Sequence, residues 1–366
     1  SATLDYKSMV YLELSGRNDW SSALPEDERS YFYPSASMSF LFNEMFDMND
    51  DILSYSKLRF SWAQVGSDTG PYQLTNSYNL TDSDGSYLGR TVLTRPGTYY
   101  TNIAPEQTTS MEIGAELRFF NNRLYLDAAY YDISSTDLIM QVPVPESTGY
   151  SRFNTNVGEL TNTGYEFMLG GKPISGGGFS WDISVNMSHN ENELVELMED
   201  LDSYTFSTTN SGDVTVRATV GGSFGEIYGT TYKRTDDGTL IVDDQGRPME
   251  ESEKEMLGNY QPDFTGGLNN TFSYKGLSVG FLIDFRIGGE LYSGTDAGLD
   301  GMGVSKRTLE YREDGVTLDA VVNTSGDPEN PTYEENTTNV SAQNYWGAVS
   351  GIASNYIYDQ TNFRLR

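Results

Sequence analysis

Cysteine is absent from the 366 residues, histidine occurs once, and 23 basic residues face 53 acidic ones. Zero cysteine removes disulfides and thiolate ligands; it suits an envelope or secreted protein stabilised by sheet closure and equally many bacterial proteins. A lone His189 leaves no usual zinc ligand set and almost no room for a Ser-His or Cys-His nucleophile. It reads as an ordinary strand-end residue. The formal charge of −30 argues against nucleic acid, whose phosphates would be repelled. No phosphate-cradling glycine loop is found. No stretch approaches the ~18 consecutive apolar residues of a membrane helix, which excludes a helical span and nothing more. No secretory leader opens the chain: SATLDYKSMV reads like the interior of a protein, and the final FRLR stops inside an alternating pattern. The chain is therefore expected to be a piece cut at both ends.

What is present is aromatic and alternating. Tyrosine numbers 26, phenylalanine 17 and glycine 37, a profile of long strands and loops. Period-two patterning recurs. Val10, Leu12 and Leu14 alternate with Tyr11 and Glu13. Ala36, Met38, Phe40 and Phe42 alternate with serines, and Leu58, Phe60 and Trp62 with Arg59 and Ser61. Tyr165, Phe167 and Leu169 form another run, as do 179–187, 266–274 and 277–285. About ten strands are visible. The hairpin MEIGAELRFFNNRLYLDAAYY (111–131) is the most explicit. With Asn121-Asn122 as a two-residue loop, residues that tolerate positive φ, the register follows by counting outward. Ile113, Ala115, Leu117 and Phe119 face Tyr130, Ala128, Leu126 and Leu124. Glu112, Gly114, Glu116 and Arg118 face Tyr131, Ala129, Asp127 and Tyr125 on the other side. One face is oily and one is charged. A soluble sandwich would bury the oily face on a second sheet, whereas a membrane barrel would turn it to lipid.

The connections favour the barrel. Asn121-Asn122 and Lys275-Gly276 are tight and 172–178 (KPISGGG) is short, with the intermediate 43–56 carrying a possible helical turn at Met45, Phe46, Met48 and Ile52. Between these lie long polar segments at 67–106, 134–158, 190–262 and 288–360. Short and long alternate without a break, as in outer-membrane barrels with short periplasmic turns and long extracellular loops. Within the long segments, 239–242 (TLIV) reads as a small hairpin between two turn signals, and 190–200 as a short helix or a loop run.

Several stretches resemble one family in order along nearly the whole chain: SGRNDWSS (15–22), RSYFYPSASMSFLF (29–42), KLRFSWAQVG (57–66), APEQTTSMEIGAELRFFNNRL (104–124), STGYSRFNTNVGELTNTGYEFML (147–169), and GNYQPDFTGGLNNTFSYKGLSVGFLIDFRIGG (258–289). They are similar to the SusC/RagA family of TonB-dependent outer-membrane transporters. The resemblance implies an all-β fold, an antiparallel transmembrane β-barrel of roughly 22 strands of which this chain supplies about ten. Residues 1–366 would then be part of a single barrel domain, with the plug, early strands and final strands outside it. It implies import of oligosaccharides or peptides without catalysis, a SusD-like surface lipoprotein as lid, TonB acting through the missing N-terminal part, and contact with membrane lipid. It allows a dimer of transporter–lid pairs, and it implies no cofactor.

Other chemistries find little support in the residues. With 53 acids, neighbouring pairs such as Glu250-Glu251 or Asp243-Asp244 arise without catalytic meaning. The run 82–85 (DSDG) looks faintly like a calcium loop but lacks its further ligands, and turn chemistry explains it better. Asp236-Asp237-Gly238 and Asp243-Asp244 flank one expected hairpin and read as charged turns facing water. Trp20, Tyr31 and Tyr33 are expected in the interfacial aromatic girdle. Among the other loop aromatics, Tyr72 included, the mid-loop pairs Tyr99-Tyr100 and Tyr345-Trp346 are the candidate ligand contacts, against the plainer readings of loop packing or lid contact. The rival functions are a soluble glycan-binding sandwich or propeller, an extracellular glycoside hydrolase and a passive porin.

Overall fold

The computed structural model describes every residue except 48–51, 73, 75, 77–78, 83–90, 95–97, 101–102, 210–211, 326 and 328–329. Most of the chain's strand belongs to one eleven-stranded antiparallel sheet. Its members are β1 (Ala2–Tyr6), β2 (Val10–Trp20), β3 (Ser30–Leu41), β4 (Leu53–Ser67), β5 (Glu106–Phe119) and β6 (Leu124–Thr136). They continue as β7 (Glu159–Gly176), β8 (Phe179–Glu196), β9 (Phe264–Tyr274), β10 (Leu277–Ile287) and β11 (Asn362–Leu365). Each pairs only with its neighbours in this order. The strand beyond the ten expected is β1, a five-residue ATLDY whose Ala2, Leu4 and Tyr6 pair with Leu14, Leu12 and Val10.

The ladder sorts residues into two faces. One rung runs Val10, Phe40, Leu58, Ala115, Ala128, Phe167 and Met187 across seven strands. The rung beside it runs Tyr11, Ser39, Arg59, Gly114, Ala129, Glu166 and Ser188. Successive rungs point to opposite sides, so the apolar and polar sets separate with few exceptions. The apolar side is bare: Leu277, Met111 and Val279 are 68%, 58% and 55% exposed. A sandwich would have covered them, and lipid is the solvent they suit. Asn270 is the expected polar exception, and it accepts a hydrogen bond from Trp181 Nε1 at 3.1 Å, which keeps its amide satisfied on the oily side.

The 111–131 register holds pair for pair, but the turn is wider than two residues. Phe120, Asn121 and Asn122 are all left-handed and Arg123 N donates to Phe119 O at 2.9 Å, so the loop is 120–123. Lys275-Gly276 is the expected two-residue turn, with positive φ at both positions. In 172–178 only Gly177-Gly178 turns; the rest belongs to β7, which bulges between Gly171 and Ile174. The helical turn in 43–56 is α1 (Phe42–Met45), so Phe42 leaves the strand pattern; Met48 lies outside the described residues. The stretch 190–200 is neither helix nor loop at its start, because β8 continues to Glu196 against β7. Connections 21–29, 68–105, 137–158, 197–263 and 288–361 all leave from one end of the sheet.

Girdle assignments divide by parity. Trp20 and Phe32 continue the apolar face, whereas Tyr31 and Tyr33 stand on the polar side opposite Asp19 and Arg17. Tyr33 donates from its hydroxyl to Asp19.

Replacing Leu126, which sits between Leu117 and Leu169 on the outward face, by Arg is expected to lower the yield of assembled barrel, since a charge on the lipid face costs roughly 2–4 kcal/mol at the midplane and less toward the periplasmic edge where Leu126 lies. Asp127→Asn on the opposite face should assemble normally. The yield of heat-modifiable folded barrel distinguishes them, and equal yields would overturn the assignment of faces.

Candidate functional site

The polar face is organised around Arg59 on β4. Its guanidinium reaches across β5 to Asp127 on β6, with two hydrogen bonds at 2.9 and 3.3 Å, and its Nε donates to Glu112 on β5 at 3.2 Å. The space it crosses exists because β5 has glycine there: a Cβ on Gly114 would lie 2.4 Å from Arg59 Nε. A second polar group follows on β6–β8. Tyr131 lies over Gly164 and donates to Asn190 at 3.0 Å, and Asn190 donates to Asn162 at 3.2 Å. Arg118 pairs with Glu116 at 2.7 Å. These are water-facing pairs of modest individual strength that give the wall a fixed pattern of charge.

The long connections build two folded bodies. In the first, Thr98–Tyr100 pairs in parallel with Arg152–Asn156, which pairs with Ile139–Pro143. Tyr99 packs on Tyr150 and Phe153 at centroid distances of 5.0 and 5.5 Å. The Asn76 amide exchanges two hydrogen bonds with the Tyr100 backbone, at 2.8 and 2.9 Å. The two tyrosines therefore sit in a half-buried ladder rather than in open loop.

The second body joins 197–263 to 288–361. The 239–242 segment has the expected turns on both sides, with bridges Arg234–Leu240 and Val242–Pro248. It also pairs in parallel with Val321–Asn323, which local sequence gives no sign of. Next to it stand α2 (Gly294–Gly301) and α3 (Ala342–Val349). Their anchor is Asp300, fully buried, which accepts from Arg307 at 2.5 Å, Ser305 at 2.5 Å and Tyr356 at 3.0 Å. Burial works against ionisation of this carboxyl, but the three donors outweigh it and hold the group below its ordinary value. Burial, then the bond to Asp300, pushes the Tyr356 phenol well up. Trp346 is 8% exposed, donates Nε1–H to Glu310 O at 3.3 Å and meets Tyr345 edge-on at 5.1 Å. Tyr345 also meets Tyr311 edge-on at 5.3 Å, and burial pushes its phenol up to about 12.

Of the four candidate ligand contacts, Tyr345 and Trp346 are brought together, Tyr99 and Tyr100 stand in the other body, and no ring contact joins the two groups among the described residues. Tyr72 is 87% exposed. His189 donates Nδ1–H to Asp263 O at 2.6 Å, and its ring lies 5.0 Å from Tyr165. Asp237 and Asp243 serve their own turns, receiving Thr239 N at 3.3 Å and Arg247 N at 2.9 Å. The 82–85 run lies outside the described residues apart from the backbone of Asp82. No three His, Asp or Glu side chains converge to hold a metal among the described residues. The Asp300–Arg307–Tyr356 cluster was not foreseen, since 56 residues separate its acid from its tyrosine.

A meandering sheet with one bare apolar face, one charged face and every long connection at one end is decided by family comparison. Residues 2–297 match the family described as TonB dependent receptor-like, beta-barrel. The chain belongs to this family. It is a β-barrel segment of the bacterial outer membrane, of the SusC/RagA type. It is 26% identical to TonB-dependent receptor P3 of Formosa agariphila, over 99% of this chain and 37% of that protein. It is 26% identical to TonB-dependent receptor SusC of Bacteroides thetaiotaomicron, over 75% of this chain and 29% of that one. The chain thus spans about a third of its curated relatives. Among solved structures, the RagAB peptide importer in its closed-closed state superposes with a TM-score of 0.71 at 20% identity, covering 100% of this chain and 39% of the other. The TonB-dependent family places the short turns at the periplasm and both loop bodies outside the cell.

Loss of the Asp300 carboxylate should loosen the second body. Its stabilisation is complete above the unfolded carboxyl value of about 3.9 and disappears as pH falls through the lower folded value. Protection of the amides in 294–309, taken relative to their intrinsic exchange rate at each pH, is therefore expected to fall on acidification below about pH 4. Asp300→Asn should show faster exchange already at pH 7, equivalent to about 1–3 kcal/mol of local stability, and no further acid step. An acid step that persists in the variant would assign it to another group.

Proposed function

We propose that the intact protein is a TonB-dependent importer of oligosaccharides or peptides, capped by a SusD-like surface lipoprotein. On this reading residues 1–366 belong to one barrel domain whose plug and remaining strands lie elsewhere in the protein. TonB acts through that plug, and transporter–lid pairs assemble as dimers. Passage needs no catalysis by this segment. The observation that carries the proposal is the asymmetry of the sheet: a charged, patterned wall runs through the membrane and ends in two large folded bodies on the cell surface. A passive pore has no need of such bodies. A soluble glycan binder or a hydrolase has no use for a bare apolar belt.

The likenesses support the same direction without naming the cargo, since one relative is SusC and one structural neighbour is a peptide importer. Ligand would lie against the loop bodies. Tyr99, Tyr100 and Tyr345 keep part of their rings accessible there, and Trp346 serves by holding Tyr345 in place.

Cells expressing the intact protein with its lipoprotein partner should accumulate one of two labelled pools, oligosaccharide or peptide, and accumulation should stop when TonB is removed. Uptake of neither pool, or uptake indifferent to TonB, would end the proposal. Tyr99→Ala and Tyr345→Ala are expected to raise the half-saturating concentration by up to roughly tenfold each, the worth of one aromatic contact.

A further inference from the structure

Two hollows open on the second loop body, and α3 walls both. The larger, about 870 Å³, lies between α3 and the bridged segments around Lys233 and Glu250. Residues 343, 344, 347 and 348 line it and recur at helical spacing, so they share the face that α3 turns away from buried Trp346 and Val349. Gly347 and Ala348 have no bulk to fill the gap. The two walls meet beyond the helix, where Thr230 Oγ1 donates to Gly351 O at 2.8 Å and accepts from Ala353 N at 2.9 Å. Glu250 marks this end: its Oε2 is 3.6 Å from where a Cβ on Gly351 would stand.

The smaller hollow, about 430 Å³, adjoins the first at Gly301 and Gln343, which line both. The guanidinium of Arg312 stands in it, donating to Gly303 O at 2.7 Å and to Thr308 Oγ1 at 3.4 Å, and both acceptor residues line this hollow. The other charged groups that line the two hollows are answered within the protein. Arg247 pairs with Asp243 at 2.7 Å, and buried Asp300 pairs with Arg307. Lys233 stands near Glu251, whose carboxyl is held below its ordinary value first by the Ser252 amide and in part by this cation. A carboxylate in one hollow and a guanidinium in the other are left facing the space. The carboxamides of Gln343, at the junction, and Asn344 make no side-chain hydrogen bond among the described residues, and each can both donate and accept.

This layout complements a chain with an ammonium at one end, a carboxylate at the other and amides between. A neutral glycan would use neither charge. Its usual platform, an open ring face, is also missing, since Trp346 is the one aromatic lining residue and is 8% exposed. We propose that the two hollows form one trough for short, free-ended peptides, with the peptide ammonium on Glu250 and the terminal carboxylate on Arg312. The inference rests on the importer reading, narrows its cargo to peptides and assigns the residues that read the two ends.

Equilibrium dialysis of the intact protein in detergent tests it without requiring transport. The probes are a mixed-sequence pool of short peptides, the same pool N-acetylated, the same pool C-amidated, and a pool of neutral oligosaccharides. Wild type should retain the free peptides about tenfold better than either blocked pool, and the oligosaccharides at background. Glu250→Gln should remove the penalty for acetylation alone, and Arg312→Gln the penalty for amidation alone. General loosening of the loop body would not produce that selectivity, and heat-modifiability shows that each variant keeps its barrel. Equal retention of free and blocked peptides by wild type would overturn the proposal. So would end-selectivity that survives in both variants, or retention of the oligosaccharides in place of the peptides. End-selective binding in a protein that does not transport would uphold the trough and count against import, so the two readings fail separately.

Discussion

Inside a bilayer no water is present to satisfy an N–H or a C=O, so every backbone polar group must find a partner in a neighbouring strand. The continuous antiparallel ladder from β1 to β11 answers that requirement across this chain, and much else follows from it. Once the register is set, side-chain parity is set with it, and one slip would exchange the two faces. Arg59 meets Asp127 because β4, β5 and β6 are locked in phase, and Gly114 leaves the intervening position open. Tyrosine over glycine recurs at Tyr131–Gly164 and Tyr125–Gly170, where the ring fills the space a Cβ would need and braces the strand against its own flexibility.

The barrel wall was legible because its information is local. Alternation in 111–131 fixed a register that the structure reproduces, and Lys275-Gly276 fixed another. Errors occurred where two local signals compete. In 172–178 three glycines and a proline outweighed the strand pattern, although only Gly177 and Gly178 turn. In 190–200 the acidic run NENELVELMED masked the continuation of β8, which stands above the membrane and no longer needs an apolar side. Tyr31 and Tyr33 were placed by their position near a strand end, whereas counting from Met38 and Phe40 puts them on the polar face.

The loop bodies were legible only as turns. Their stability comes from contacts between distant segments, such as Asp300 with Tyr356 and Thr230 with the backbone at Gly351 and Ala353. No periodicity announces these. Tyr345-Trp346 was singled out as an aromatic pair, but the burial of Trp346 against Glu310 and Arg307 depends on residues 36 and 39 positions away. The same limit applies to Tyr99, whose ladder partner is Phe153.

One of these long-range links bears on how such proteins diversify. Ile241 and Val242 pair with Val321 and Val322, and all of the β9–β10 hairpin lies between them. The two largest surface loops are stitched into one object although the chain dives through the membrane and back between them. Neither can be exchanged for a foreign counterpart by itself, because the incomer would arrive without the strand it must lie against. Recombination between relatives would have to carry 197–361 as a block, transmembrane hairpin included, so that what faces the environment and what faces the lipid are inherited together.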